Sequence, residues 1–158
     1  MELSRYALSP LREGDFTLYR ASGFGLAPIL VVAADESSLG CVERLEHEYA
    51  LKCELDAEWA ARPVALTHDN GRMGLVLEDP GGTPVDRLLG RPLEISHFLR
   101  IAIPLAGVLR KVHAQGLIHK DIKPANILAD AESGGVWLTG FGIASRLPRE
   151  RQTPARRR

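Results

Sequence analysis

The sequence predicts an α+β fold: a β-rich first half carrying one helix, followed by a helical second half. Three observations carry this expectation. Short apolar, β-branched runs broken by Gly, Pro and Ser occupy residues 5–34 and 63–77, a strand-and-turn pattern. One amphipathic stretch lies between them, with Val42, Leu45, Tyr49 and Cys53 on an i, i+3, i+7, i+11 course. After residue 93 the character changes, and Glu94–Gln115 reads as a single long helix.

In chain order, Arg5–Leu8, Phe16–Arg20 and Ile29–Ala34 are candidate strands, separated by Ser9-Pro10, Gly14 and Ser22-Gly23-Phe24-Gly25. Ser37-Ser38 stand where they would cap a helix reaching about Leu55. Pro63–Thr67 and Met73–Leu77 are joined by the hairpin signal Asp69-Asn70-Gly71. Asp79-Pro80-Gly81-Gly82 is the clearest break and marks a boundary between two lobes. In the long helix Pro104 predicts a kink. The run Ile101–Leu109 is apolar all the way round and predicts burial on every side. Ile127–Ala129 and Val136–Leu138 are short strands around the turn Glu132-Ser133-Gly134-Gly135.

Composition bounds the function classes. The chain has 158 residues, 45% hydrophobic and 25% charged, as in one globular domain or slightly more. Its 20 basic and 20 acidic residues cancel, but unevenly: residues 1–145 carry 14 basic and 19 acidic side chains, residues 146–158 six Arg and one Glu. An acidic body repels phosphates, so no nucleic-acid partner is expected. The basic tail reads as a disordered, solvated end. No apolar run approaches the ~20 residues of a membrane span, and no export signal opens the sequence, so the expected location is cytoplasmic. Cys41 and Cys53 are too far apart for a C-x-x-C pair, and the five histidines are scattered, so no zinc site is expected.

The strongest chemical signal is His119-Lys120-Asp121-Ile122-Lys123-Pro124-Ala125-Asn126. The loop resembles the catalytic loop H-R-D-L-x-x-x-N of protein kinases, with Lys and Ile for Arg and Leu. The resemblance implies phosphoryl transfer, which explains the spacing: a carboxylate takes a proton from a hydroxyl, a cation two residues on neutralises the transferring group, and an amide oxygen holds a metal. Other segments follow in that family's order, so the resemblance covers essentially the whole chain. Residues 11–21 look like the phosphate-covering glycine loop and the strand after it. Glu48 sits where the family has its helix carboxylate, although an ordinary surface pair with Lys52 explains it equally well. Leu77-Glu78-Asp79-Pro80 matches the adenine hinge, and Leu138-Thr139-Gly140-Phe141-Gly142 the metal-binding D-F-G segment. The wording of residues 138–152 is similar to kinase-like modules at the front of large bacterial multi-domain sensor histidine kinases.

The resemblance implies a β-rich lobe over 1–78, a hinge at 79–83, a partial helical lobe over 84–145 and a tail over 146–158. It implies Asp121, Lys123, Asn126 and His119 as catalytic residues and Asn126 as metal ligand. ATP is assigned to Gly14, Leu18, Leu77, Glu78 and Leu128, and Mg2+ joins it as cofactor. Four departures weaken both cofactors. Arg12 replaces the first loop glycine, and Val32 the phosphate-binding lysine, leaving Glu48 without its cation. Gly140 replaces the magnesium-binding aspartate, and Pro80 offers no N–H to adenine. Lys120 and Lys123 are the nearby cations, and Asp130 is the nearest carboxylate in sequence. Two readings stay open: a Ser/Thr protein kinase-like domain of impaired activity acting on a protein hydroxyl, and an inactive pseudokinase serving as a binding or regulatory module. A small-molecule phosphotransferase fits poorly with Asp121-Ile122-Lys123-Pro124. The family continues past D-F-G with helices that enclose the long one. The chain therefore reads as truncated, with an apolar patch on residues 94–115 that predicts self-association or a partner.

Overall fold

The computed structural model describes residues 3–34, 40–69, 71–130 and 132–147. Strands β1 (Ala7–Arg12), β2 (Phe16–Gly23), β3 (Leu26–Ala34), β4 (Pro63–Asp69) and β5 (Arg72–Glu78) form one antiparallel sheet in the order β1-β2-β3-β5-β4. Its register aligns Leu18 with Val32 and Val32 with Leu75, and Leu30 with Leu77. Side chains at those positions therefore point to one face. They bury there with Leu11, Leu45 of helix α1 (Cys41–Ala50) and Leu128.

Beyond the sheet, β6 (Thr83–Pro84) leads into helix α2 (Ile95–Ala114) and β7 (Leu117–Ile118). The hairpin of β8 (Ile127–Ala129) and β9 (Val136–Leu138) pairs with β6, and β10 (Ser145–Arg146) pairs with β7. A second core gathers here around Phe141, with Val108, Val112, Leu117 and Leu138. Leu51, Leu55, Trp59 and Ala60 also belong to it, although they precede the Asp79 break. Core membership therefore does not follow the sequence boundary at 78/79.

Several local expectations are corrected. β1 runs straight through Ser9-Pro10. It is the edge strand, where a residue without an N–H costs no ladder bond, and a register shift follows between Pro10 and Arg12. Helix α1 stops at Ala50 rather than about Leu55. The N–H groups of Leu51 and Lys52 donate to the carbonyls of Glu48 and Tyr49, tightening the last turn, and Leu51 and Leu55 turn into the second core. The proposed cap Ser37-Ser38 lies outside the described residues, as do Asn70 of the hairpin and the tail beyond Leu147.

Helix α2 holds Pro104 within it, as expected, but is not buried on every side. Ile101, Val108 and Val112 face the core, while Phe98 and Leu99 are exposed and Ile95 and Ile103 are 75% and 66% exposed. The packed elements β7 and β9 cover one face only. No described helix is long and apolar enough to cross a membrane.

The connection between the halves is anchored to the sheet. Arg20 of β2 donates from Nε to Asp79 Oδ2 at 2.6 Å and from Nη2 to Asp79 Oδ1 at 3.0 Å and Gly82 O at 2.8 Å. The Asp79 side chain is only 3% exposed, and its Oδ1 also accepts the Gly81 N–H. A forked, charge-assisted pair of this kind fixes geometry as well as charge. Gly82 has φ +72°, and a Cβ there would lie 2.9 Å from the Ala129 backbone, so only glycine permits this approach.

Candidate functional site

The loop 119–126 is held by its histidine. His119 is buried between the Phe141 ring, 4.4 Å away, and the backbone of Thr139. Its Nδ1 accepts the Asp121 N–H at 3.1 Å, so the proton is assigned to Nε2, which donates to Thr139 O at 2.9 Å. Burial lowers the imidazole pKa, against the pull of the Thr139 carbonyl and the Asp121 charge. A neutral ring is what this arrangement requires. His119 thus supports the loop from behind and does not line the cavity in front of it.

Asp121, Lys123 and Asn126 do converge on that cavity, of about 170 Å³. Asp121 Oδ2 lies 2.8 Å from Lys123 Nζ and accepts from Asn126 Nδ2 at 2.8 Å. Asn126 Nδ2 also donates to the Asp121 carbonyl at 2.8 Å. Gly14 lines the same cavity, and so does Val32. Lys120 is exposed, with φ +69°, and contributes nothing to the lining. Asp130 is also elsewhere: it holds the β8–β9 turn by accepting from Ser133 Oγ at 2.5 Å and the Glu132 N–H at 3.0 Å.

Of the nucleotide positions taken from the resemblance, Gly14 lines the cavity, while Leu18, Leu77, Glu78 and Leu128 do not. Leu18, Leu77 and Leu128 are fully buried together with Leu30 in the sheet's core. Glu78 instead pairs with Arg62, at 2.6 Å and 3.0 Å, and that hydrogen bond holds its carboxyl below the usual range. The physical reason is packing: Leu18 of β2, Leu30 of β3, Leu77 of β5 and Leu128 of β8 meet in one core and exclude water from the space between them.

Glu48 resolves in favour of the site. Its side chain is 3% exposed, lines the cavity and accepts the Gly140 N–H at 3.2 Å, while Lys52 bonds Tyr49 instead. Burial raises the Glu48 pKa to about 7, opposed by the N–H groups of Phe141 and Gly140 and by the Arg12 charge.

Arg12 is the residue the sequence reading missed as a participant. From the end of β1 it reaches across, and Nη1 donates to Ala125 O at 2.5 Å and to Asn126 Oδ1 at 2.7 Å. Desolvation lowers its pKa, opposed by Asp86, Glu48 and Asp121. A guanidinium stays charged regardless. The available signal was a cation appearing in the glycine loop of a chain that lacks its strand lysine. Gly140, with φ +80°, packs so tightly that a Cβ would lie 2.9 Å from the side-chain atoms of Asn126.

A five-stranded antiparallel sheet with one helix, joined to a long helix and a short hairpin across a cleft that holds an Asp-x-Lys-x-x-Asn loop, defines a protein kinase-like α+β fold. The model of the protein kinase domain matches residues 32–157, and the chain belongs to that family. Serine/threonine-protein kinase LATS2 of Mus musculus is 32% identical over 106 residues, 66% of this chain and 10% of that protein. Serine/threonine-protein kinase PknL of Mycobacterium tuberculosis is 29% identical over 136 residues, 82% of this chain and 34% of that protein. PknA of the same species is 40% identical over 92 residues, 51% of this chain and 21% of that protein. The chain spans about a tenth to a third of the length of these curated relatives. The family in general uses ATP and Mg2+ and acts on protein substrates.

Proposed function

We propose that this chain is a kinase-fold binding or regulatory module in which phosphoryl transfer from ATP to a protein hydroxyl is slow or absent. The observation that carries this reading is the 2.7 Å bond from Arg12 to Asn126 Oδ1, the atom that would ligate magnesium. Both Nδ2 protons are donated to Asp121, and the Arg12 cation sits against Oδ1, where it opposes a second cation. Gly140 supplies no carboxylate, and a side chain there would strain the φ +80° backbone and displace the Asn126 amide. Among the described residues no group of three or more His, Cys, Asp and Glu side chains could hold a metal ion. These residues do not fit a magnesium site, because Mg2+ favours an octahedral shell built on carboxylate and phosphate oxygens. Losing one preorganised charge-stabilising group costs about 100- to 1,000-fold in rate, and here both the lysine and the aspartate are replaced.

The alternative is a weak Ser/Thr protein kinase, with Asp121 as proton acceptor and Lys123 neutralising the transferring group. The convergence of Asp121, Lys123 and Asn126 favours it. Incubation with radiolabelled ATP, magnesium and a generic protein substrate separates the two. The expected result is no transfer above that of Asp121→Ala, and none restored by Gly140→Asp. Magnesium-dependent transfer that disappears in Asp121→Ala would overturn the proposal.

The division into a lobe over 1–78, a hinge at 79–83 and a partial lobe over 84–145 belongs to the same reading. So does a setting in cytoplasmic bacterial signalling, which the wording of residues 138–152 supports. The exposed side chains Ile95, Phe98 and Ile103 on α2 would serve a protein partner or a second copy of the chain.

A further inference from the structure

We propose that the exposed face of α2 is a docking surface for an acidic protein segment, one that carries apolar side chains at helical spacing flanked by carboxylates. The inference rests on the reading of the chain as a binding module and names the partner's chemistry.

Ile95, Leu99 and Ile103 recur at every fourth residue of α2, so their side chains form one ridge. All three are exposed, as is Phe98 beside them. Arg100 borders the ridge one turn before Ile103, and Arg110 lies two turns beyond Ile103 on the same face. Both arginines are exposed.

Charge selects the partner. From Ile95 to Ala114 the helix contains no Asp or Glu. Residues 89–115 hold four cations, Arg91, Arg100, Arg110 and Lys111, against the single acid Glu94. Lys111 is occupied by Glu58 at 2.7 Å. Glu94 shares a recess with Arg100, so it offsets one cation and leaves Arg91 and Arg110 over. The rest of residues 1–145 is the reverse, with ten cations and eighteen acids. A basic, apolar strip thus crosses an acidic body. A segment that lays apolar side chains on the ridge and carboxylates against the arginines complements both features.

Other occupants fit less well. A second α2 paired along the first by a two-fold axis sets the arginines of the two helices on one seam, where like charges repel. An anionic bilayer is a plane, and the acidic remainder of the body is repelled by it. Nucleic acid meets the same repulsion.

Fluorescence anisotropy tests this with the whole chain and two labelled peptides of about 20 residues, whose helices match the roughly 30 Å length of α2. Both have leucine at the a and d positions of a heptad; one has glutamate at the flanking positions and the other lysine. The glutamate peptide is expected to bind at least about tenfold tighter than the lysine peptide, and to weaken as salt rises. Arg100→Glu combined with Arg110→Glu should invert that preference. Ile103→Ser should weaken the glutamate peptide roughly 3- to 10-fold and keep the preference. All three positions are exposed, and circular dichroism checks that the variants stay folded.

Equal binding of the two peptides, which is apolar adhesion alone, would overturn the proposal. So would a preference unmoved by the double reversal, or no binding of the glutamate peptide at a chain concentration of about 0.1 mM. Displacement of that peptide by vesicles of phosphatidylserine and phosphatidylcholine assigns the face to a membrane instead. A dimer in sedimentation that Ile103→Ser dissolves assigns it to a second copy, and either result overturns the proposal. Failure of the functional reading looks different: it is magnesium-dependent transfer from ATP, which leaves these affinities where they are.

Discussion

Phe141→Ala is expected to destabilise the chain by about 3–5 kcal/mol, the cost of removing a fully buried aromatic ring and leaving its cavity. Phe141 is completely buried, with the His119 ring 4.4 Å away and the Trp59 ring 6.1 Å away. For a domain of this size, each kcal/mol corresponds to roughly 2–4 °C in Tm. Urea unfolding followed by Trp fluorescence would measure the loss directly. A change below about 1 kcal/mol would mean the second core is not organised around this ring. The mutation also reaches the site. His119 is wedged between Phe141 and Thr139 and accepts the Asp121 N–H, so losing the ring loosens the support behind Asp121.

The second large effect is on pH dependence. The Glu48 carboxyl is raised to about 7 in the folded chain from an ordinary value near 4.5, chiefly by burial. Between those values the native state holds more protons at this site than the unfolded chain. Stability contributed by the protonated acid is therefore complete below about 4.5 and is lost as pH rises through 7. The shift corresponds to roughly 3 kcal/mol. His119 acts in the opposite direction: its lowered value makes the neutral ring stabilising above 6.5 and less so as pH falls through its folded value. The wild-type profile alone therefore mixes two signs. The difference between wild type and Glu48→Gln isolates the carboxyl, and it should shift in favour of the glutamine variant from pH 5 to pH 8. A difference that is the same at both pH values would contradict the burial of Glu48.

Much of the fold was legible because its signals are local. The strand runs around Leu30 and Leu75, the Asp-Asn-Gly hairpin and the long helix are readable from periodicity and turn chemistry. The short strands Ile127–Ala129 and Val136–Leu138 occur where expected. What depends on tertiary position was not legible. Pro10 is tolerated because β1 has the sheet edge to itself, a fact no local pattern encodes. One face of α2 is bare because its apolar belt meets neighbours on a single side. At the site, the spacing of Asp121, Lys123 and Asn126 brought them to one cavity, while Arg12 was visible only as a missing glycine. Its partners Ala125 and Asn126 are more than a hundred residues away, and a contact that long has no signature in sequence.

The grip of Arg20 on Asp79 and Gly82 carries a mechanical consequence. A crossing tied at both oxygens of one buried carboxylate resists turning of the 79–82 segment against the sheet. A push delivered at the sheet is passed on as torque to the segment that feeds α2.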